Sequence, residues 1–166
     1  MTQGLLQSLQ QQFNHLAWAN ARLVDSLRRL SDAEFTRVIG PGLDSVCIKL
    51  THAVDAEWIW LHRIATGQND GERPDDKRFK SLAAFLRWMA EVDAIRSTYA
   101  AGLTESELVR IVEYSNHAGV RFAQPVREIL QHMLTHAAYH RGQAVAGIRA
   151  LGKQPPETDL IIFQRQ

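Results

Sequence analysis

From Gln3 to Leu30 the apolar residues Leu5, Leu6, Leu9, Phe13, Leu16, Ala17, Leu23, Val24, Leu27 and Leu30 recur at steps of three and four. That is the period of an amphipathic helix, so the pattern predicts a first long helix here. Ser31-Asp32-Ala33-Glu34 follows as a capping box, in which Ser31 accepts from the Glu34 backbone while Glu34 reaches back. The short helical turn it starts ends near Gly40-Pro41-Gly42. A second long helix is predicted from Leu43–Ser45 to about Thr66, with Val46, Leu50, Val54, Trp58 and Leu61 on its apolar face, and Gly67-Gln68-Asn69-Asp70-Gly71 stops it. The segment from Gly67 to Lys80 contains Pro74 and the charges Asp75, Asp76, Lys77 and Arg78, and reads as a solvated connection. Ser81 caps a third helix through Tyr99, with Leu82, Phe85, Met89 and Val92 at helical spacing.

Leu108 to Tyr114 alternates apolar and charged residues, the pattern of a half-buried strand. Asn116-His117-Ala118-Gly119 makes a turn and Val120 to Ala123 the partner strand. Pro125 then sits where a first-turn proline is tolerated, and the last long helix runs through Val126, Ile129, Met133, Ala137 and Ile148 to Leu151-Gly152. The tail Lys153 to Gln166, opened by Pro155-Pro156, is expected to be extended. Four long helical segments predict an all-α protein, a four-helix bundle with a small β-hairpin before the last helix. A chain of 166 residues is expected to form one domain over residues 1–166.

Composition narrows the partners. Lys and Arg number 19 and Asp and Glu 18, a net charge of +1, which leaves no electrostatic footprint for nucleic acid or an anionic membrane. The single cysteine, Cys47, excludes an intramolecular disulfide. No apolar run approaches the roughly 20 residues needed to span a bilayer, and the first residues lack a signal-peptide pattern, so a cytoplasmic location is expected.

The chemistry concentrates in Gln131-His132-Met133-Leu134-Thr135-His136-Ala137-Ala138-Tyr139-His140-Arg141-Gly142-Gln143. His132, His136 and His140 stand on successive turns of one helix face. A step of four advances about 6 Å along the axis, so two such rings can close on one ion, whereas the outer two are roughly 12 Å apart and cannot. A site must use one adjacent pair, and spacing alone does not say which. Two ligands hold a metal poorly, so a third is required. His52 is the best placed, mid-helix on the apolar face of the second helix, ahead of His62 and His15. Three neutral imidazoles suit Zn, Ni or Fe and leave positions open for water or substrate, as in catalytic sites. His15 and His117 otherwise read as satisfied structural histidines, Cys47 as a small core residue, and Trp18, Trp58, Trp60 and Trp88 as core or pocket wall. Glu57 is read as a hydrogen-bond partner of a metal-ligating side chain, a general base or an ordinary exposed acid.

The string His136-Ala137-Ala138-Tyr139-His140-Arg141-Gly142-Gln143, followed by Leu151-Gly152 and Pro155-Pro156-Glu157-Thr158-Asp159-Leu160, resembles the C-terminal signature of the DinB-like (YfiT, damage-inducible) metalloproteins. Trp18-Ala19-Asn20, the Ser45 to Trp58 helix with His52 and the Val112 to Pro125 hairpin extend the likeness over essentially the whole chain. The resemblance implies a four-helix bundle of unusual connectivity, often a homodimer, with a divalent metal held by three histidines. Carried over residue by residue, those are His52, His136 and His140, which resolves the pair against His132. Arg141 and Gln143 match the motif without an assigned role. Arg141, about 100° around the helix from His140, suits ion pairing, and Gly142 is expected to let another helix approach.

Members of the wider superfamily are thiol-dependent transferases and isomerases. The expected function is therefore metal-dependent S-transfer to a small molecule, with a low-molecular-weight thiol as cosubstrate. Two alternatives stand beside it: a non-catalytic metal-binding stress-response protein, and a metal-assisted hydrolase with Glu57 or a nearby acid as base.

Overall fold

The computed structural model describes residues 2–40, 44–68, 78–116 and 118–166. Its elements are α1 (Thr2–Leu27), α2 (Asp32–Thr36), α3 (Val46–Thr66), α4 (Leu82–Ala101), α5 (Glu105–Val109), β1 (Ile111–Ser115), β2 (Arg121–Pro125), α6 (Val126–Ala150) and α7 (Leu160–Gln164). The long helices α1, α3, α4 and α6 carry the fold, and the two-stranded antiparallel sheet stands immediately before the last of them. No helix among the described residues is long and apolar enough to cross a membrane.

The helix starts are set by side chains that take up orphan backbone donors. The Ser31–Glu34 capping box forms in both directions. Ser45 accepts from Ile48 N at 3.1 Å and Ser81 from Ala84 N at 3.3 Å. At the other end of α3, Gly67 adopts the left-handed conformation, φ 70°, that closes a helix with its N–H on the Arg63 carbonyl.

Three local expectations change. Leu108 and Val109 belong to the short helix α5, because Thr104 caps it by accepting from Glu107 N at 3.2 Å, and the strand begins only at Ile111. β2 runs on to Pro125, which pairs with Ile111 and serves as the N-cap residue of α6 rather than its first turn. The tail forms a one-turn helix, α7, whose Phe163 ring packs 5.7 Å from Trp18 and 5.7 Å from His15. His117, Pro41, Gly42 and the segment 69–77 lie outside the described residues.

The core divides into two clusters along the bundle. One gathers Leu9, Phe13, Leu61, Ile64, Ile129 and Met133, the other Leu23, Leu27, Val46, Leu50, Phe85 and Ile148. The C-terminal half of α3 thus packs on the N-terminal half of α6, and the reverse, so the two helices are antiparallel. Their close approach is made at Gly147. A Cβ there would meet Val46 Cγ2 at 2.9 Å and Ile39 Cδ1 at 3.0 Å, whereas one at Gly142 would meet nothing within 4 Å. The helix-approach role expected of Gly142 therefore falls to Gly147.

Between the clusters lies a polar waist. Arg96, only 2% exposed, donates to Glu57 at 2.7 Å and to Asp93 at 2.6 Å, and Asn20 donates to Asp93 at 3.1 Å. These bonds join α1, α3 and α4 at one level. Glu57 is thus neither exposed nor available as a base: burial raises its pKa against the pull of the Arg96 guanidinium. Removing one partner of a buried ion pair strands the other charge, at a cost of about 3–5 kcal/mol. Arg96→Met should lower unfolding free energy in urea by about that much, and adding Glu57→Leu should recover a large part of it. If the double variant is no more stable than Arg96→Met, the stranded charge is not the cause.

Candidate metal centre

α3 supplies His52, and α6 supplies His136 and His140 one turn apart. The α3–α6 pair is the most extensive helix contact among the described residues, and it carries these rings together. The His52 ring lies 5.2 Å from His136 and 4.7 Å from His140, and the two α6 rings are 4.3 Å apart, centroid to centroid. One ring nitrogen from each of the three residues lies within 4.8 Å of the others. His136 Nε2 and His140 Nε2 stand 3.1 Å apart. Two nitrogens each about 2.0–2.1 Å from one ion, at a bond angle near about 100°, have almost that separation. The donor set therefore fits a divalent metal.

Tautomers follow from the neighbours. His140 Nδ1 lies 2.7 Å from Gln143 Oε1, an atom that only accepts, so Nδ1 carries the proton and the neutral ring turns its Nε2 lone pair inward. In the metal-free protein His136 Nε2–H donates to that lone pair. Burial first, and then the charges that His140, His52 and His132 would carry, push His136 down to about 4. Its ring is therefore neutral at pH 7, as a metal ligand must be. Gln143 has a role that the sequence left unassigned. Its position three residues after His140 is the signal, since i and i+3 share a helix face.

The other candidates lie elsewhere. His132 sits at the exposed rim, its ring 5.5 Å from His136 and edge-on to Trp60 at 5.2 Å. His62 stacks on Trp58 at 5.2 Å, and His15 Nε2–H donates to the Thr158 carbonyl at 2.9 Å. Cys47 is buried beside the Phe79 carbonyl and Thr51 Oγ1, and burial pushes its thiol pKa up, away from reactivity. Arg141 is buried with the Asp159 carboxylate as its electrostatic partner. Arg78, expected on a solvated loop, instead holds the buried Asp55 with two bonds of 2.5 and 2.6 Å, and Trp88 Nε1–H donates to the same carboxylate at 2.8 Å. A hollow of about 550 Å³ against the hairpin, lined by residues including Gly67, Tyr114 and Phe122, does not include the imidazole cluster.

A helical bundle with three imidazoles converging between two antiparallel helices defines a protein with a site that can hold a divalent metal. The chain belongs to the DinB family, whose sequence profile matches residues 1–166. Its fold is similar to that of a DinB-like protein from Bacillus cereus ATCC 10987, with 20% identity, 93% of this chain and 95% of that chain covered, and a TM-score of 0.66. A conserved protein from Enterococcus faecalis is also similar in fold, with 16% identity, coverage of 84% and 94%, and a TM-score of 0.62. No curated protein matches the chain.

The depressed His136 pKa has a consequence for stability. The unfolded ring, with a pKa near 6.5, binds a proton that the folded one refuses until about 4, so the metal-free protein loses stability as pH falls through that window. Thermal unfolding with metal removed should show Tm falling between about pH 7 and about 4.5, and His136→Gln should flatten the fall. An unchanged slope in the variant would assign the effect to other groups.

Proposed function

We propose that His52, His136 and His140 hold one divalent metal ion and that the protein is a metal-dependent S-transferase, joining a low-molecular-weight thiol to a small electrophilic molecule. The observation that carries the metal reading is the convergence of the three imidazole nitrogens, two of them at 3.1 Å. A bound divalent cation would lower the pKa of a thiol at its open position and so supply thiolate at neutral pH. The chain's own contribution is positional. The α3–α6 packing brings His52 against the α6 pair, Gln143 fixes the His140 tautomer, and burial keeps His136 deprotonated. All three histidines are only half-buried, so solvent reaches the cluster. A set of three histidines with open positions is the pattern of catalytic rather than structural sites. Zinc, nickel and iron all accept it, and the ligand type does not choose among them. Hydrolysis is the weaker reading, because the Glu57 carboxylate is bound by Arg96.

Metal content of the purified protein should approach one equivalent and fall to a small fraction in His52→Ala, His136→Ala and His140→Ala, with His132→Ala retaining it. Undiminished metal in the first three would remove the site. Gln143→Ala should weaken metal affinity by about 10–100-fold, the usual effect of losing a partner that orients a ligating histidine. Consumption of a thiol with an electrophile such as a haloarene, dependent on metal, distinguishes S-transfer from metal binding without turnover.

A further inference from the structure

The bundle answers the Arg96 guanidinium at one nitrogen only. Its bonds to Glu57 and Asp93, at 2.7 and 2.6 Å, both leave from Nη1. Every fully buried side-chain nitrogen and oxygen among the described residues has a hydrogen-bond partner, so the Nε–H and Nη2–H edge of this side chain is not sealed in the core. It lies at the floor of a cavity of about 300 Å³ between α1 and α4, which Arg96 lines together with Phe13, Gln10 and Asn14 from α1 and Ser97 from α4. The cavity is separate from the imidazole cluster. Glu57 follows His52 by five residues and so stands about 140° around α3 from it. α1 packs on α4 and α6, and α3 on the same two, which sets α1 and α3 diagonally across the bundle. The segment 69–77 starts and ends beside α3, after Gln68 and before Arg78, which is bonded to Asp55, so both of its ends lie across the bundle from α1.

We propose that this cavity is a binding site for a small uncharged molecule carrying a carboxamide group. Nε–H and Nη2–H of an arginine form a planar fork that takes a carbonyl or carboxylate oxygen. A carboxylate is disfavoured here, because Glu57 and Asp93 already set two negative charges against one guanidinium and a third would be repelled where water is scarce. A cation would face the guanidinium itself. A neutral carbonyl satisfies the donors and leaves the charge of the waist unchanged. Gln10 and Asn14, four residues apart on one face of α1, offer side-chain oxygens to the N–H groups of the same amide, and Ser97 offers its hydroxyl from α4. Phe13, buried below them, and Ala17 give the remainder of the molecule an apolar wall.

The test titrates the nitrogen-15-labelled full chain with butanamide and with butanoate, its charged isostere, and follows the Arg96 Nε–H signal and the Ser97 backbone amide by NMR. Butanamide should shift both signals saturably, with a dissociation constant of about 1–10 mM, in keeping with its few atoms. Butanoate should bind at least about tenfold more weakly. Arg96→Lys, which keeps the charge and removes the fork, should weaken butanamide by about tenfold or more at the Ser97 signal. Ala17→Leu, which narrows the cavity from its exposed side and leaves the ion pairs in place, should weaken it as much, and decides the matter if Arg96→Lys does not fold. No saturable shift up to about 100 mM butanamide would show a cavity that holds water only and would overturn the site. Butanoate binding as tightly as butanamide, or butanamide binding undiminished in Ala17→Leu, would overturn it as well. The metal centre stands or falls independently of all these outcomes.

Discussion

A guanidinium that stays charged at any working pH lies at the centre of the bundle, and the surrounding helices have to answer it. Arg96 is withdrawn from water, so its charge must be met by Glu57 from α3 and by Asp93 from its own helix, and Asp93 in turn is met by Asn20 from α1. Apolar contacts tolerate a slip between helices better than these directional bonds do. The network therefore fixes the axial position of α3 relative to α1 and α4. With α3 fixed, and Gly147 letting α6 come close at Val46, His52 has one place to be, opposite His136 and His140. The geometry of the imidazole cluster is downstream of a buried charge that does not touch it.

The waist and the imidazole cluster solve opposite electrostatic problems with similar means. In the waist, charged groups are buried and neutralise one another. In the cluster, partial burial of His136 favours its neutral form, and its depressed pKa is the direct expression of this. The second buried carboxylate, Asp55, lies one turn from His52 and is bound by Arg78 and Trp88. Neither buried acid beside the cluster offers an unbonded carboxylate to it.

The long helices were legible because their apolar residues repeat over five or more turns and because Ser45 and Ser81 mark the starts of α3 and α4. The short elements were not. From Leu108 to Tyr114 the alternation of apolar and charged residues also fits one turn of helix, and the Thr104-to-Glu107 cap decides in favour of helix for its first part. The turn of α7 has no periodicity of its own and exists because Phe163 finds Trp18 and His15. Gly142 and Gly147 look alike in sequence, yet only Gly147 shares the buried stripe of Ala144 and Ile148, so helix phase and not residue type selects it. That His52 meets His136 and His140 could be anticipated from its mid-helix position and from the family likeness. The pairing of Glu57 with Arg96 could not, because the partners are 39 residues apart and nothing local announces them.

The tail binds the first helix through three backbone carbonyls: Gln154 accepts from Ser26, Glu157 from Arg22 and Thr158 from His15. Each of these bonds closes a loop of more than a hundred residues, the costliest kind of contact to make early in folding. The outer surface of α1, including the Trp18 indole, consequently stays uncovered while the rest of the chain assembles. The ribosome delivers α1 well before the tail that covers it, so a chaperone that reads exposed aromatic surface has the synthesis of everything between them in which to find it.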